Sequence, residues 1–202
     1  MKKIITILLS GFILNSYADT ASLSKYLNNM QTMKADFTQV ITTGKKVRTS
    51  VGNMEISRPN KFRWEYTADQ QLLVSDAKNI YIYDKPLQQV TVKALNKSID
   101  KSPAALLAGS NDINKSYKIS SLPSSGDNLN WFKIEPKLVN DNNGFQIVLM
   151  GFSANGKISS MKFTDTFGNE TQLQFSNVKT GINIPASEFQ FTPPSGVDVL
   201  KD

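Results

Sequence analysis

The side chains able to do chemistry in this chain are carboxylates, hydroxyls and amines, because its 202 residues include no histidine and no cysteine. That removes the Ser-His-Asp and Cys-His nucleophile systems and every zinc site built on histidine or cysteine. Glycoside hydrolysis needs only two facing carboxylates. Asp36, Asp69, Asp76, Asp84, Asp100 and Asp165 instead occur singly, mostly where turns or strand ends are expected. The run Asn140-Asp141-Asn142-Asn143-Gly144 has the composition of a calcium loop, but its glycine at the sixth position would put Val139 at the first ligand position. It reads as a polar hairpin turn. The pattern points away from catalysis, metal and cofactor; a carboxylate-based hydrolase is the one enzyme reading left open.

The beginning of the chain says where it works. Lys2 and Lys3 precede an apolar stretch, residues 4–14, interrupted only by Thr6, Ser10 and Gly11. Ser16 and Ala18 supply small residues at the positions a signal peptidase requires, which places cleavage between Ala18 and Asp19. A run of about eleven residues is well short of the roughly twenty needed to cross a bilayer. With no cysteine after it, the chain cannot be lipid-anchored. Residues 19–202 are expected to be one exported, soluble domain. Removing residues 1–18 from 202 leaves 184, enough for a sizeable core.

Losing Lys2 and Lys3 lowers the formal charge by two, from +6 to +4. Arg48, Arg58 and Arg63 are the only arginines, and the lysines are scattered, so a nucleic-acid surface is not expected. The fold must also hold without disulfides.

The elements follow from periodicity. Leu23, Tyr26, Leu27, Met30 and Met33 recur at three- and four-residue spacing, predicting a helix with Ser22 as its N-cap. The period then changes to two. Strands are expected over 35–42, 47–57, 61–66, 71–75, 80–83 and 88–93. Phe62, Trp64 and Tyr66 share one face of the third. Ser102-Pro103 begins a short helix, Ala104-Ala105-Leu106-Leu107-Ala108, closed by Gly109. Strands resume over 117–122, 131–135, 145–152, 157–165, 170–179 and 189–191, with Asn155-Gly156 a hairpin signal. Pro193 and Pro194 break pairing before a last stretch, 197–200.

About eleven short strands imply a sandwich or barrel. The economical arrangement is one strongly curved antiparallel sheet with the helices on its concave side. Pattern leaves open whether the space between is filled core or a ligand cavity.

The order of motifs resembles one family. Asp36-Phe37-Thr38-Gln39 follows the first helix. Gly52, Met54 and Ile56 lead to Arg58-Pro59-Asn60-Lys61-Phe62-Arg63-Trp64-Glu65-Tyr66. Then come Leu73-Val74-Ser75-Asp76, Ile80-Tyr81-Ile82-Tyr83-Asp84, Gln89-Val90-Thr91-Val92 and Ser102-Pro103. The chain closes with Phe189-Gln190-Phe191-Thr192-Pro193-Pro194-Ser195-Gly196-Val197. Together, from about residue 22 to 200, these resemble the outer-membrane lipoprotein carrier family, LolA.

The resemblance implies a mainly β fold: an incomplete antiparallel barrel of about eleven strands, with a helical lid over an apolar cavity. It implies a periplasmic, monomeric carrier without enzymatic activity. Such a carrier takes acylated lipoproteins released from the inner membrane by an ABC transporter and delivers them to an outer-membrane receptor. Positions matching the acyl-chain cavity are Leu27, Met30 and Met33 on the first helix, Phe62 and Trp64 on the strand, and Leu73. Leu106 and Leu107 match the lid. Arg58 matches the arginine that bonds lid carbonyls and keeps the empty form closed. A carrier of free lipid or glycolipid with the same fold is the alternative. One departure concerns the turn after Val74-Ser75: the family usually has Asp-Gly, whereas Ala77 follows Asp76 here, so a different turn is expected.

Overall fold

The structure is a computed structural model that describes residues 20–95, 103–109, 113–138 and 144–201. The export segment 1–18 with its cleavage site, the Ser102 cap and the loop 140–143 lie outside the described residues.

Helix α1 (Thr20–Asn29) leads into the hairpin β1 (Thr32–Thr43) and β2 (Lys46–Ser57). The strands β3 (Lys61–Tyr66), β4 (Gln71–Asp76), β5 (Asn79–Asp84) and β6 (Gln89–Ala94) continue as a meander. Helices α2 (Pro103–Ala108) and α3 (Ile113–Ser116) interrupt it. A second meander runs through β7 (Tyr117–Ser121), β8 (Leu129–Pro136), β9 (Ile147–Ser153), β10 (Ile158–Thr164) and β11 (Glu170–Thr180). A 3-10 turn, Ala186–Phe189, precedes β12 (Asp198–Lys201).

Among the described residues all twelve strands form one sheet, ordered β12-β6-β5-β4-β3-β2-β1-β11-β10-β9-β8-β7. It is open, with β12 and β7 at its edges. Every pairing is antiparallel except β12 with β6, which is parallel. The fold is therefore the expected incomplete barrel: eleven of the twelve strand ranges expected from sequence form, and β12 arises from the last stretch.

Curvature is visible in a single contact. Trp64 on β3 and Phe175 on β11 have ring centroids 6.4 Å apart, although β2 and β1 lie between their strands. Three strand spacings in a flat sheet would be about 14 Å. The sheet must curl, and the curl closes an apolar interior lined by alternate residues of nearly every strand. Gly52 permits one tight point: a Cβ there would sit 1.9 Å from the Glu65 carbonyl oxygen and 2.7 Å from Phe37 Cζ. Phe37 lies opposite Gly52 in the β1–β2 register, so its ring takes the place a side chain would fill.

Three expectations change. The first helix ends at Asn29, and Met33 is the second residue of β1, paired with Ile56. Its inward direction survives because the strand takes over where the helical stripe leaves off. Ser22 falls inside the helix rather than at its cap. The segment 189–191 is not a strand: Phe189 ends the 3-10 turn, and Phe191 lies 5.7 Å from Tyr81 and 5.8 Å from Tyr83 by ring centroids. Tyr81 and Tyr83 face outward, opposite to Ile80 and Ile82, so the C-terminal segment covers the outer surface of the sheet. Buried Phe189, Val74 and Val90 also lie outside the main core cluster. Two prolines keep this segment from joining the sheet until β12.

Candidate functional site: an apolar interior under a clasped helix

The nine residues singled out from sequence converge. Leu27, Met30, Met33, Phe62, Trp64, Leu106 and Leu107 are all buried in one continuous cluster, and half-buried Leu73 packs against it. Leu27 faces inward because α1 carries Leu23 and Leu27 four residues apart on its buried stripe. Phe62 and Trp64 alternate inward on β3, where Ile56 and Met54 of β2 oppose them. Leu73 lies opposite Trp64 on β4. Helix α2 rests on β2 and β3 and closes this half of the interior.

Arg58 sits between sheet and helix. Its side chain is buried, and Nη1 donates to the Leu107 carbonyl oxygen at 2.5 Å. Two residues on, the Asn60 N–H donates to the Ala108 carbonyl at 2.5 Å, and Ser75 Oγ donates to the Asn60 carbonyl. The last carbonyls of a one-and-a-half-turn helix have no partners within it, and these donors supply them. Burial lowers the Arg58 pKa to about 10, which leaves it charged at neutral pH.

The second meander supplies the opposite wall, which the chosen residues did not include. Tyr26 of α1 stacks on Phe152 at 4.9 Å and meets Phe132 edge-on at 6.0 Å. Ile134, Met150, Met161, Leu173 and Phe175 complete that wall. The alternation over 131–135, 145–152, 157–165 and 170–179 was the signal for them. A cleft of about 690 Å³ lies where the start of β10 diverges from the end of β11, with Ala35, Ile158 and Phe175 among its lining.

At the end away from α2 the interior turns polar. Buried Gln39 and Ser50 are paired across β1 and β2. Tyr66 Oη donates to Gln39 Oε1 at 3.0 Å, and burial raises the phenol pKa above 10.0. Ser50 Oγ and Arg48 Nη2 donate to Asp69 at 2.7 and 2.8 Å, holding its carboxyl below the usual range. Between the two zones, Trp64 Nε1 is buried and makes no hydrogen bond, although its N–H lies close enough to favour the neighbouring Tyr66 phenolate. No group of three or more potential metal-ligating side chains occurs among the described residues.

Comparison with known proteins places this arrangement. The family described as "Outer membrane lipoprotein carrier protein LolA" matches residues 28–192. An outer-membrane lipoprotein carrier protein of Chromobacterium violaceum is 43% identical over 181 residues, covering 89% of this chain and 86% of the relative. One of Nitrosospira multiformis is 40% identical, covering 90% and 87%. Among solved structures, an uncharacterized conserved protein of Thermus thermophilus aligns with a TM-score of 0.57 at 10% identity, over 90% of this chain and 98% of the other. A LolA superfamily protein of Nitrosomonas europaea aligns at 0.50 and 11% identity, over 85% and 96%; these two likenesses concern the fold alone. By the family match and the identity of its relatives, the chain belongs to the LolA family of outer-membrane lipoprotein carrier proteins.

Proposed function

We propose that this protein is a periplasmic lipoprotein carrier, and that its acyl-chain site is the apolar interior under α2. Leu27, Met30, Met33, Phe62, Trp64 and Leu73 form the lining, Leu106 and Leu107 the underside of the lid, and Arg58 the clasp that keeps the empty form closed. Residues 19–202 form the exported domain after cleavage following Ala18. It acts as a monomer, receives cargo from an inner-membrane ABC transporter and passes it to an outer-membrane receptor. Its work is transport rather than catalysis.

One observation carries the reading: a short apolar helix closes a continuous apolar interior and is tied down by the buried Arg58. Magnitudes explain the design. Sheltering a methylene is worth about 0.8 kcal/mol, so an acyl chain of roughly fifteen is worth on the order of 12 kcal/mol. A site that matched a bilayer for several such chains would never release them. A packed empty state solves this, because cargo must displace α2 from β2 and β3 and break the Arg58 clasp. Loading then needs the transporter's work, and unloading recovers the closed contacts.

The test adds residues 19–202 to spheroplasts of a Gram-negative bacterium supplied with ATP. Newly made lipoproteins should leave the membrane in a soluble one-to-one complex. Release of lipid without polypeptide would instead favour the free-lipid carrier. Failure with the organism's own transporter as well would refute the carrier reading.

A further inference from the structure

The interior is not uniformly apolar, and among the described residues its one buried side-chain donor without a partner sits where the polarity changes. Trp64 is 2% exposed, yet its indole Nε1 has no hydrogen-bond partner. A buried donor left unmade destabilises the state that contains it. The other tryptophan has no such vacancy: Trp131 Nε1 donates to Asp127 Oδ2 at 2.8 Å. Around Trp64 the lid side is hydrocarbon, while Tyr66, Gln39 and Ser50 lie beyond it toward the other end. Tyr66 Oη gives its proton to Gln39 and keeps lone pairs nearby, but the indole N–H makes no hydrogen bond to it in the empty protein.

An acyl chain differs from an alkane in one respect that matters here: it ends in a carbonyl. We propose that Trp64 Nε1 donates to the ester or amide carbonyl of a bound acyl group, with the hydrocarbon beneath α2 and the polar end toward Tyr66 and Gln39. This rests on the carrier reading and deepens it, because it names the chemical group recognised and the direction in which the ligand lies. The empty state carries an unpaired buried N–H and the loaded state does not. A carbonyl acceptor is therefore favoured over a methylene at the same position. Depth is fixed as well, since a chain inserted too far would leave its carbonyl among Phe62, Leu73 and Leu107.

The experiment uses the mature protein and two synthetic ligands of equal length, a dipalmitoyl-glyceryl-cysteine peptide and its dihexadecyl ether analogue with a free N-terminus. The indole N–H signals are followed by NMR and assigned with Trp131→Phe; methyl signals of Leu106 and Leu107 report entry into the interior. The ester ligand should shift the Trp64 N–H downfield, whereas the ether should enter without doing so. Trp131 should stay put. Affinity for the ester should exceed that for the ether about fivefold or more, and Trp64→Phe, which keeps the ring and removes the donor, should abolish that preference. Equal shifts with both ligands, or none with either while the leucine methyls respond, overturns the carbonyl assignment and leaves the carrier reading intact. If neither ligand perturbs the leucine methyls even when an ATP-driven lipoprotein transporter in proteoliposomes presents it, the carrier reading falls and the assignment falls with it.

Discussion

Arg58 and Leu107 are separated by 49 positions, and one hydrogen bond joins them: Nη1 donates to the Leu107 carbonyl oxygen inside a buried contact. The bond links the end of β2 to α2 at the point where that helix runs out of internal partners. A guanidinium suits this role because it stays charged even when burial brings its pKa down to about 10. A neighbouring main-chain bond, Asn60 N–H to the Ala108 carbonyl, repeats the connection without a charge. The end of α2 is thus held by a side chain and by the backbone immediately after it.

Replacing Arg58 by leucine tests the clasp. A hydrogen bond to a charged donor is worth about 1.5–3 kcal/mol, and the apolar replacement restores part of the loss through burial. Amide exchange across α2 should speed up about tenfold, with the sheet unaffected. Arg58→Leu should still load, but its transfer to the outer-membrane receptor should slow, because closing no longer favours release as strongly. A variant that loads and unloads like the parent would falsify the proposed role of Arg58.

Gly52 tests the curvature. Any Cβ there meets the Glu65 carbonyl at 1.9 Å, and backbone cannot step aside as a flexible side-chain end can. Gly52→Ala should destabilise by about 2 kcal/mol or more, a loss typical of overpacking. Denaturant unfolding measures it. Phe37→Leu should recover little of that loss, since the closer clash is with the backbone; substantial recovery would assign the strain to the ring instead.

Tyr66 gives the pH signature of the polar end. Burial keeps its phenol neutral, raising its pKa above the ordinary 10.0. The unfolded chain therefore loses this proton first as pH rises. The stabilisation is fully present below about pH 10 and is lost between the unfolded and folded pKa values. In a spectrophotometric titration Tyr66 should ionise in a late phase above pH 10, and Tyr66→Phe should remove that phase. Persistence of that phase in the variant would show that another tyrosine produces it.

Much of this was legible in the sequence where side chains repeat a simple period. Phe62, Trp64 and Tyr66 alternate on β3, and their face was readable at once. The C-terminal segment was not, because Phe189, Gln190 and Phe191 alternate like a strand yet cover the outside of one. Periodicity reports that a face is buried and says nothing about which side of a sheet does the burying. The wall formed by Phe132, Met150, Phe152 and Phe175 was readable as strand but not as site, since its role depends on a curl that brings β11 across to β3. Trp64 Nε1 was invisible for a further reason: whether a donor is satisfied depends on atoms from β1 and β3 together.

The turn after Ser75 offers the last prediction. Alanine stands where the family usually has glycine, and Ala77 takes a left-handed conformation of the kind that favours glycine, with φ of 77°. The surrounding bonds enforce it. Asp76 Oδ1 accepts from the N–H groups of Lys78 and Asn79, both at 2.7 Å, and β4 pairs with β5 immediately on either side. Left-handed backbone costs an L-residue with a Cβ roughly 1–2 kcal/mol, and glycine escapes this penalty while losing more freedom on folding, about 0.5–1 kcal/mol. The difference favours glycine, so Ala77→Gly should stabilise by about 0.5–1 kcal/mol and raise Tm by a few degrees. Since Ala77 lies outside the interior cluster, loading should not change. A lower Tm would mean that the turn, rather than enforcing the left-handed residue, relaxes around it when alanine is present.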